Sequence, residues 1–133
     1  MPSLDTNVIV RWLVEDDRKQ TARVQTLFES AREGQFVLFV PSTVALELEW
    51  VLRSRYQFEK SSVLAAFIAL LEAREIEFQD EAALERALDQ YRLGVAEFAD
   101  CLHAALSHAA DRAPLLTFDA KAARLANAEM LEA

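Results

Sequence analysis

Two aspartates, Asp5 and Asp119, each follow a short apolar run and precede a stretch with helical spacing. The segments are Leu4-Asp5-Thr6-Asn7 and Leu115-Leu116-Thr117-Phe118-Asp119. Either aspartate alone reads as the cap of the helix that follows it. The pair at equivalent positions says more, because ligands in open α/β sheets bind beyond the carboxyl ends of the strands. Asp100 is a third acid. Counting 100° per residue from Phe98 sets it away from Leu102, Ala105 and Leu106. It falls in a first helical turn, where the helix dipole favours an anion. A fourth acid is Glu47 or Glu49. Glu47 falls between two apolar surfaces, Val44-Leu48-Val51-Leu52 and Leu46-Trp50, whereas Glu49 flanks Arg53. Periodicity leaves both open.

Acids of this kind have a use when gathered. Hard divalent ions such as Mg²⁺ and Mn²⁺ take carboxylate and water oxygens. Carboxylates in one pocket repel one another until a cation neutralises them. A bound Mg²⁺ or Mn²⁺ does this and draws in a phosphodiester, and a pair of ions can serve both the attacking and the leaving oxygen. His103 and His108 are the only histidines and Cys101 the only cysteine, so no zinc pattern competes and no internal disulfide can form. His103 reads as a structural helix residue and Cys101 as a small buried one.

The elements that must position these groups alternate between strand and helix. Residues 2–5 read as a short strand, 7–14 as a helix with Val8 and Trp12 on its apolar side, and 18–32 as a helix bearing Ala22, Leu27 and Ala31, stopped by Gly34. The acidic run Glu15-Asp16-Asp17 reads as a solvated loop that caps this second helix. Residues 35–40 form the clearest strand, an apolar and aromatic run ended by Pro41. Ser42 or Thr43 would cap a helix to about Arg55, and residues 61–73 form a nearly apolar helix. A short strand at 76–78, a helix at 81–93 closed by Gly94, a helix at 98–110, a strand at 115–118, a helix at 121–126 and an edge strand at 129–131 complete the chain. Alternating elements of this kind predict a mostly parallel sheet flanked by helices.

Length and composition agree with one folded domain over residues 1–133, since 53% of the residues are hydrophobic. The net charge of −8 has the wrong sign for binding nucleic acid through general electrostatics. If nucleic acid is the substrate, bound cations or a local basic strip must reverse the field. No run approaches the roughly 20 apolar residues of a membrane span, and the acidic start Met1-Pro2-Ser3-Leu4-Asp5 is unlike a signal peptide. The cytoplasm is therefore the expected location.

The sequence resembles the PIN-domain family, and within it the VapC-type toxins. Four segments carry the likeness in family order: Leu4-Asp5-Thr6-Asn7-Val8-Ile9-Val10-Arg11-Trp12-Leu13, Pro41 through Glu47-Leu48-Glu49-Trp50-Val51-Leu52-Arg53, Glu97-Phe98-Ala99-Asp100-Cys101-Leu102-His103, and Leu116-Thr117-Phe118-Asp119. The resemblance implies a three-layer α/β/α sandwich with a central, mostly parallel sheet. It assigns Asp5, Glu47, Asp100 and Asp119 to an acidic Mg²⁺ or Mn²⁺ site and selects Glu47 over Glu49. Thr6, Asn7 and Thr117 match supporting polar positions, and Glu97 stands where relatives often carry aspartate. RNA cleavage, homodimers and an antitoxin covering the active groove are further implications.

Beside these acidic segments, Arg11, Arg53, Lys121 and Arg124 are candidates for guiding RNA. Leu46 and Trp50 lie opposite the Val44-Leu48-Val51-Leu52 face, and Val63, Phe67 and Leu70 read as surplus apolar surface. A homodimer built around these two helices, anchored by Trp50, is expected. Competing readings are a nuclease for DNA or precursor RNA, and a non-catalytic protein-binding domain. A phosphatase of the haloacid dehalogenase type needs a second acid two residues after the first, where this chain has Asn7.

Overall fold

The computed structural model describes residues 2–132. Met1 and Ala133, the two ends of the expected domain, lie outside the described residues. Two compact units divide after Gln79.

The first unit is built on a short parallel ladder. Strands β1 (Leu38–Val40) and β2 (Ile76–Phe78) pair in parallel, Leu38 opposite Ile76 and Val40 opposite Phe78. On the other side of β1, Ser3 bridges Phe39 in parallel, and the Leu4 N–H donates to the Phe39 carbonyl at 2.8 Å. The expected first strand is thus reduced to one bridge with its flanking bonds. Leu38 and Val40, on one face of β1, have no exposed surface, and Phe39 on the other face is half-buried.

Helix α1 (Thr6–Leu13) buries Thr6, Ile9 and Val10. Its inward face is therefore rotated from the one centred on Val8 and Trp12. Trp12 instead stacks on Phe28, ring centroids 5.2 Å apart. Helix α2 (Arg18–Gly34) starts on the expected cap, with the Asp17 carboxylate accepting from the Gln20 N–H at 3.0 Å. It buries Thr21, Val24, Phe28 and Ala31, so of the expected face only Ala31 is fully buried; Ala22 is exposed and Leu27 half-buried. Gln35, not Gly34, takes the left-handed position after the helix, at φ 55°. Gly34 serves by lacking a side chain, since a Cβ there would stand 2.9 Å from the Phe36 ring. This ending leaves residues 35–37 outside the expected strand.

Helix α3 (Ser42–Ser54) begins at Pro41 without a side-chain cap. The Gln79 side-chain carbonyl does that work instead, accepting from the Ser42 N–H at 3.0 Å. Ala45, Leu48, Val51 and Leu52 face inward. Helix α4 (Lys60–Glu72) buries Val63, Ala66, Phe67 and Leu70, at i, i+3, i+4 and i+7. Val63, Phe67 and Leu70 are core, which corrects their reading as surplus surface; the large apolar side chain that α4 exposes is Ile68.

In the second unit α5 (Glu81–Leu93) packs on α6 (Phe98–Ala109), with Tyr91 and Phe98 edge to face at 5.4 Å. Gly94 closes α5 in the left-handed conformation, φ 76°. Strands β3 (Leu115–Thr117) and β4 (Ala128–Met130) pair in parallel, and the Leu131 N–H extends the ladder to the Thr117 carbonyl. The helix expected at 121–126 is a single 3₁₀ turn, Ala122–Arg124. The link between β3 and β4 is shorter than the dozen or so residues of an ordinary helical crossover. Leu125 must turn extended to bury its side chain and lead into β4. Every strand pairing among the described residues is parallel, as an α/β fold of this kind requires.

Candidate active site

In the first unit the acids converge where the bridge at Ser3 hands the chain to α1. Asp5 caps that helix, its Oδ1 accepting from the Thr6 N–H at 2.8 Å. Thr6 points inward and is buried, and its hydroxyl donates to Oε1 of Glu47 on α3. Asp5, Thr6, Asn7 and Glu47 line one pocket of about 210 Å³, together with Trp50, Val51 and Arg55. The two glutamates that periodicity leaves open differ in their surroundings. Glu47 is exposed to the pocket, whereas Glu49 is buried with its Oε2 at 2.8 Å from Arg53 Nε.

The second unit carries the other candidates. Glu97 occupies the cap position of α6 without a side-chain cap bond, and Asp100 is half-buried in its first turn. Asp119 follows β3, and its Oδ1 accepts from the Lys121 and Ala122 N–H groups at 2.8 and 3.0 Å. Thr117 holds the turn from the other side, its hydroxyl accepting from the Asp119 N–H at 3.0 Å. Asp119 is thus a cap, as Asp5 is, and keeps Oδ2 outside these bonds. His103 is exposed, and its carbonyl accepts from the Ser107 hydroxyl. Cys101 is buried, its thiol donating to the Ala96 carbonyl.

The basic candidates fall into two kinds. Arg11 is tied to Asp16 at 3.0 Å, to the Tyr56 hydroxyl at 3.1 Å and to Gln20 at 2.7 Å. The Tyr56 bond and the Asp16 and Asp17 charges hold its proton more tightly than usual, against the opposing effect of burial. Arg53 is engaged by Glu49. Lys121 and Arg124 are exposed. Sequence reasoning did not single out Arg55, and it placed Trp50 in a protein interface. Their five-residue separation marks no common helix face. Arg55 sits just past the last turn of α3, and that position carries its guanidinium over the Trp50 ring.

Among the described residues, no group of three or more His, Cys, Asp or Glu side chains is arranged to hold a metal ion. The first-unit pocket nevertheless offers two carboxylates, a hydroxyl and an amide, all hard oxygen donors, without thiol or imidazole in its lining. That set fits Mg²⁺ or Mn²⁺, which commonly use one or two carboxylates and complete their shell with water and substrate oxygens.

The model for the PIN domain matches residues 3–128, and the chain belongs to that family. At finer grain, it is 26% identical over 102 residues to a VapC ribonuclease of Aquifex aeolicus (strain VF5), covering 77% of this chain and 75% of that protein. No helix among the described residues is long and apolar enough to cross a membrane.

Proposed function

We propose that this chain is a cytoplasmic, Mg²⁺- or Mn²⁺-dependent endoribonuclease, the toxin of a VapC-type toxin–antitoxin pair. The observation that carries this reading is the shared pocket of Asp5 and Glu47, tied through the Thr6 hydroxyl, in a chain of the PIN family. Asp5 and Glu47 hold the ion, and Asp100 and Asp119 are the further acids of the site. Thr6 orients Glu47, the Asn7 amide offers a hydrogen bond to substrate oxygen, and Thr117 and Glu97 support Asp119 and Asp100. When bound, the ion polarises the phosphodiester and makes water a better nucleophile.

The two units work as one nuclease domain over residues 1–133; the family model running across the division after Gln79 supports this. Of the four basic candidates for guiding RNA, Lys121 and Arg124 are exposed to offset part of the net negative charge, while Arg11 and Arg53 are balanced by Asp16 and Glu49. The partners are single-stranded or loop RNA, a cognate antitoxin, and a second copy of the chain. The homodimer is built around α3 and α4, with the exposed Ile68 at its surface.

The test is cleavage of single-stranded RNA by purified protein with Mg²⁺ or Mn²⁺, with and without EDTA. Hydrolysis that stops with EDTA is the expected result. Robust cleavage by metal-free protein would sink the mechanism. Preference for DNA over RNA would reassign the substrate, and absence of both cleavage and divalent-ion binding would favour a non-catalytic binding domain.

A further inference from the structure

The pocket that holds Asp5 and Glu47 has a wall that metal chemistry does not use. Trp50 forms it, 50% exposed and one helical turn after Glu47 on α3. Arg55 lies over the indole, its guanidinium carbon 6.0 Å from the ring centroid, and lines the same pocket. Among the described residues Arg55 has no carboxylate partner, although Asp5 and Glu47 share its pocket. A half-exposed indole and a cation without a carboxylate partner therefore stand side by side at the edge of the acidic site.

We propose that Trp50 and Arg55 form a nucleotide subsite: the indole stacks an unpaired base next to the scissile bond, and the guanidinium takes a phosphate of the same strand. This rests on the ribonuclease reading above. Charge and polarity choose the occupant. A protein interface would need exposed apolar surface continuous with Trp50, but the exposed neighbours of Trp50 on this pocket are Asp5, Asn7, Glu47 and Arg55, while Val51 and Thr6 in its lining are buried. An occupant with a flat π face and an anion one unit apart suits the pair, and each nucleotide of a single strand has both. Aromatic platforms beside cations are how unpaired nucleic acid is held without base pairing. Stacking tolerates every base, so this subsite selects single-stranded over duplex RNA rather than one sequence.

The test uses the full chain carrying Trp12→Phe, so that Trp50 is the sole tryptophan, with Asp119→Asn to keep the RNA whole and Mn²⁺ present. A single-stranded oligoribonucleotide is titrated while indole fluorescence and the anisotropy of an RNA label are followed. RNA should quench the indole. Trp50→Ala should weaken binding about tenfold, and Trp50→Phe should restore it to within about threefold. Arg55→Gln should reduce the dependence of log K on log salt by about one. The same RNA as a duplex should show little response to Trp50→Ala. RNA binding that leaves the indole unmoved, or unchanged affinity in Trp50→Ala, would overturn the subsite while leaving EDTA-sensitive cleavage to stand. Failure of the chain to bind or cut RNA would overturn both readings. A fall from dimer to monomer mass in Trp50→Ala would overturn the subsite by showing that the indole faces a second copy.

Discussion

The Thr6 hydroxyl donates to Oε1 of Glu47, joining the first turn of α1 to α3 across 41 residues of sequence. Thr6 is 97% buried while Glu47 is exposed, so an inward hydroxyl fixes the direction of an outward acid. Thr6→Val should therefore cost about 1 kcal/mol in urea denaturation, the net scale of one side-chain hydrogen bond. Cleavage should fall further than stability explains, and Thr6→Ser should recover most of it. Wild-type activity in Thr6→Val would show that the bond does not orient Glu47.

Glu47 and Glu49 should separate cleanly. Glu47→Gln removes a pocket carboxylate, so divalent-ion binding by calorimetry should weaken at least tenfold with little change in stability. Glu49→Gln weakens a charge-assisted bond to Arg53, which is itself half exposed. Its expected signature is a loss of about 1–2 kcal/mol with ion affinity kept. The reverse pattern would move the site acid to Glu49.

Asp119 should distinguish capping from chemistry. Asparagine caps a turn about as well as aspartate, and alanine does not. Asp119→Asn should keep the 3₁₀ turn and its stability but abolish cleavage; Asp119→Ala should add a stability loss of about 1 kcal/mol. Asp100→Asn should likewise lose activity with an unchanged circular dichroism spectrum. Full activity in either asparagine variant would leave that aspartate a structural residue only.

Adjacent residues of α4 should behave oppositely. Phe67 has no exposed surface, so Phe67→Ala should destabilise by about 3–5 kcal/mol. Ile68 is 53% exposed, and Ile68→Asp should leave folding within about 0.5 kcal/mol. It should lower the mass seen by light scattering from dimer to monomer. A dimer that survives Ile68→Asp would place the interface away from this face of α4.

The sequence by itself determined most of the elements and their order, because spacing of apolar residues and turn chemistry are local; the first strand, reduced to a bridge at Ser3, and the 121–126 helix, a single 3₁₀ turn, are the exceptions. The runs behind α3, α4, α5 and β2 needed no distant partner to be read, and Gly94 marked its helix end unaided. Asp5, Asp100 and Asp119 were legible on the same local grounds, since they sit at strand ends and in a first helical turn; Glu47, in the middle of α3, came from the family resemblance. What depended on contacts distant in sequence was not legible. Whether Val63 and Phe67 were surface or core turned on what α4 packs against, and the rotation of α1 onto Ile9 and Val10 turned on α2 and α3. The start of α3 drew its cap from Gln79, 37 residues on. Glu47 and Glu49 are two residues apart on one helix, and periodicity could not rank them. The tertiary structure gives them different partners: the Thr6 hydroxyl, brought alongside by the pairing of the first segment with β1, bonds Glu47, and Arg53 pairs with Glu49. Side-chain direction at a site is set by neighbours that folding supplies, and those neighbours are absent from any local window of sequence.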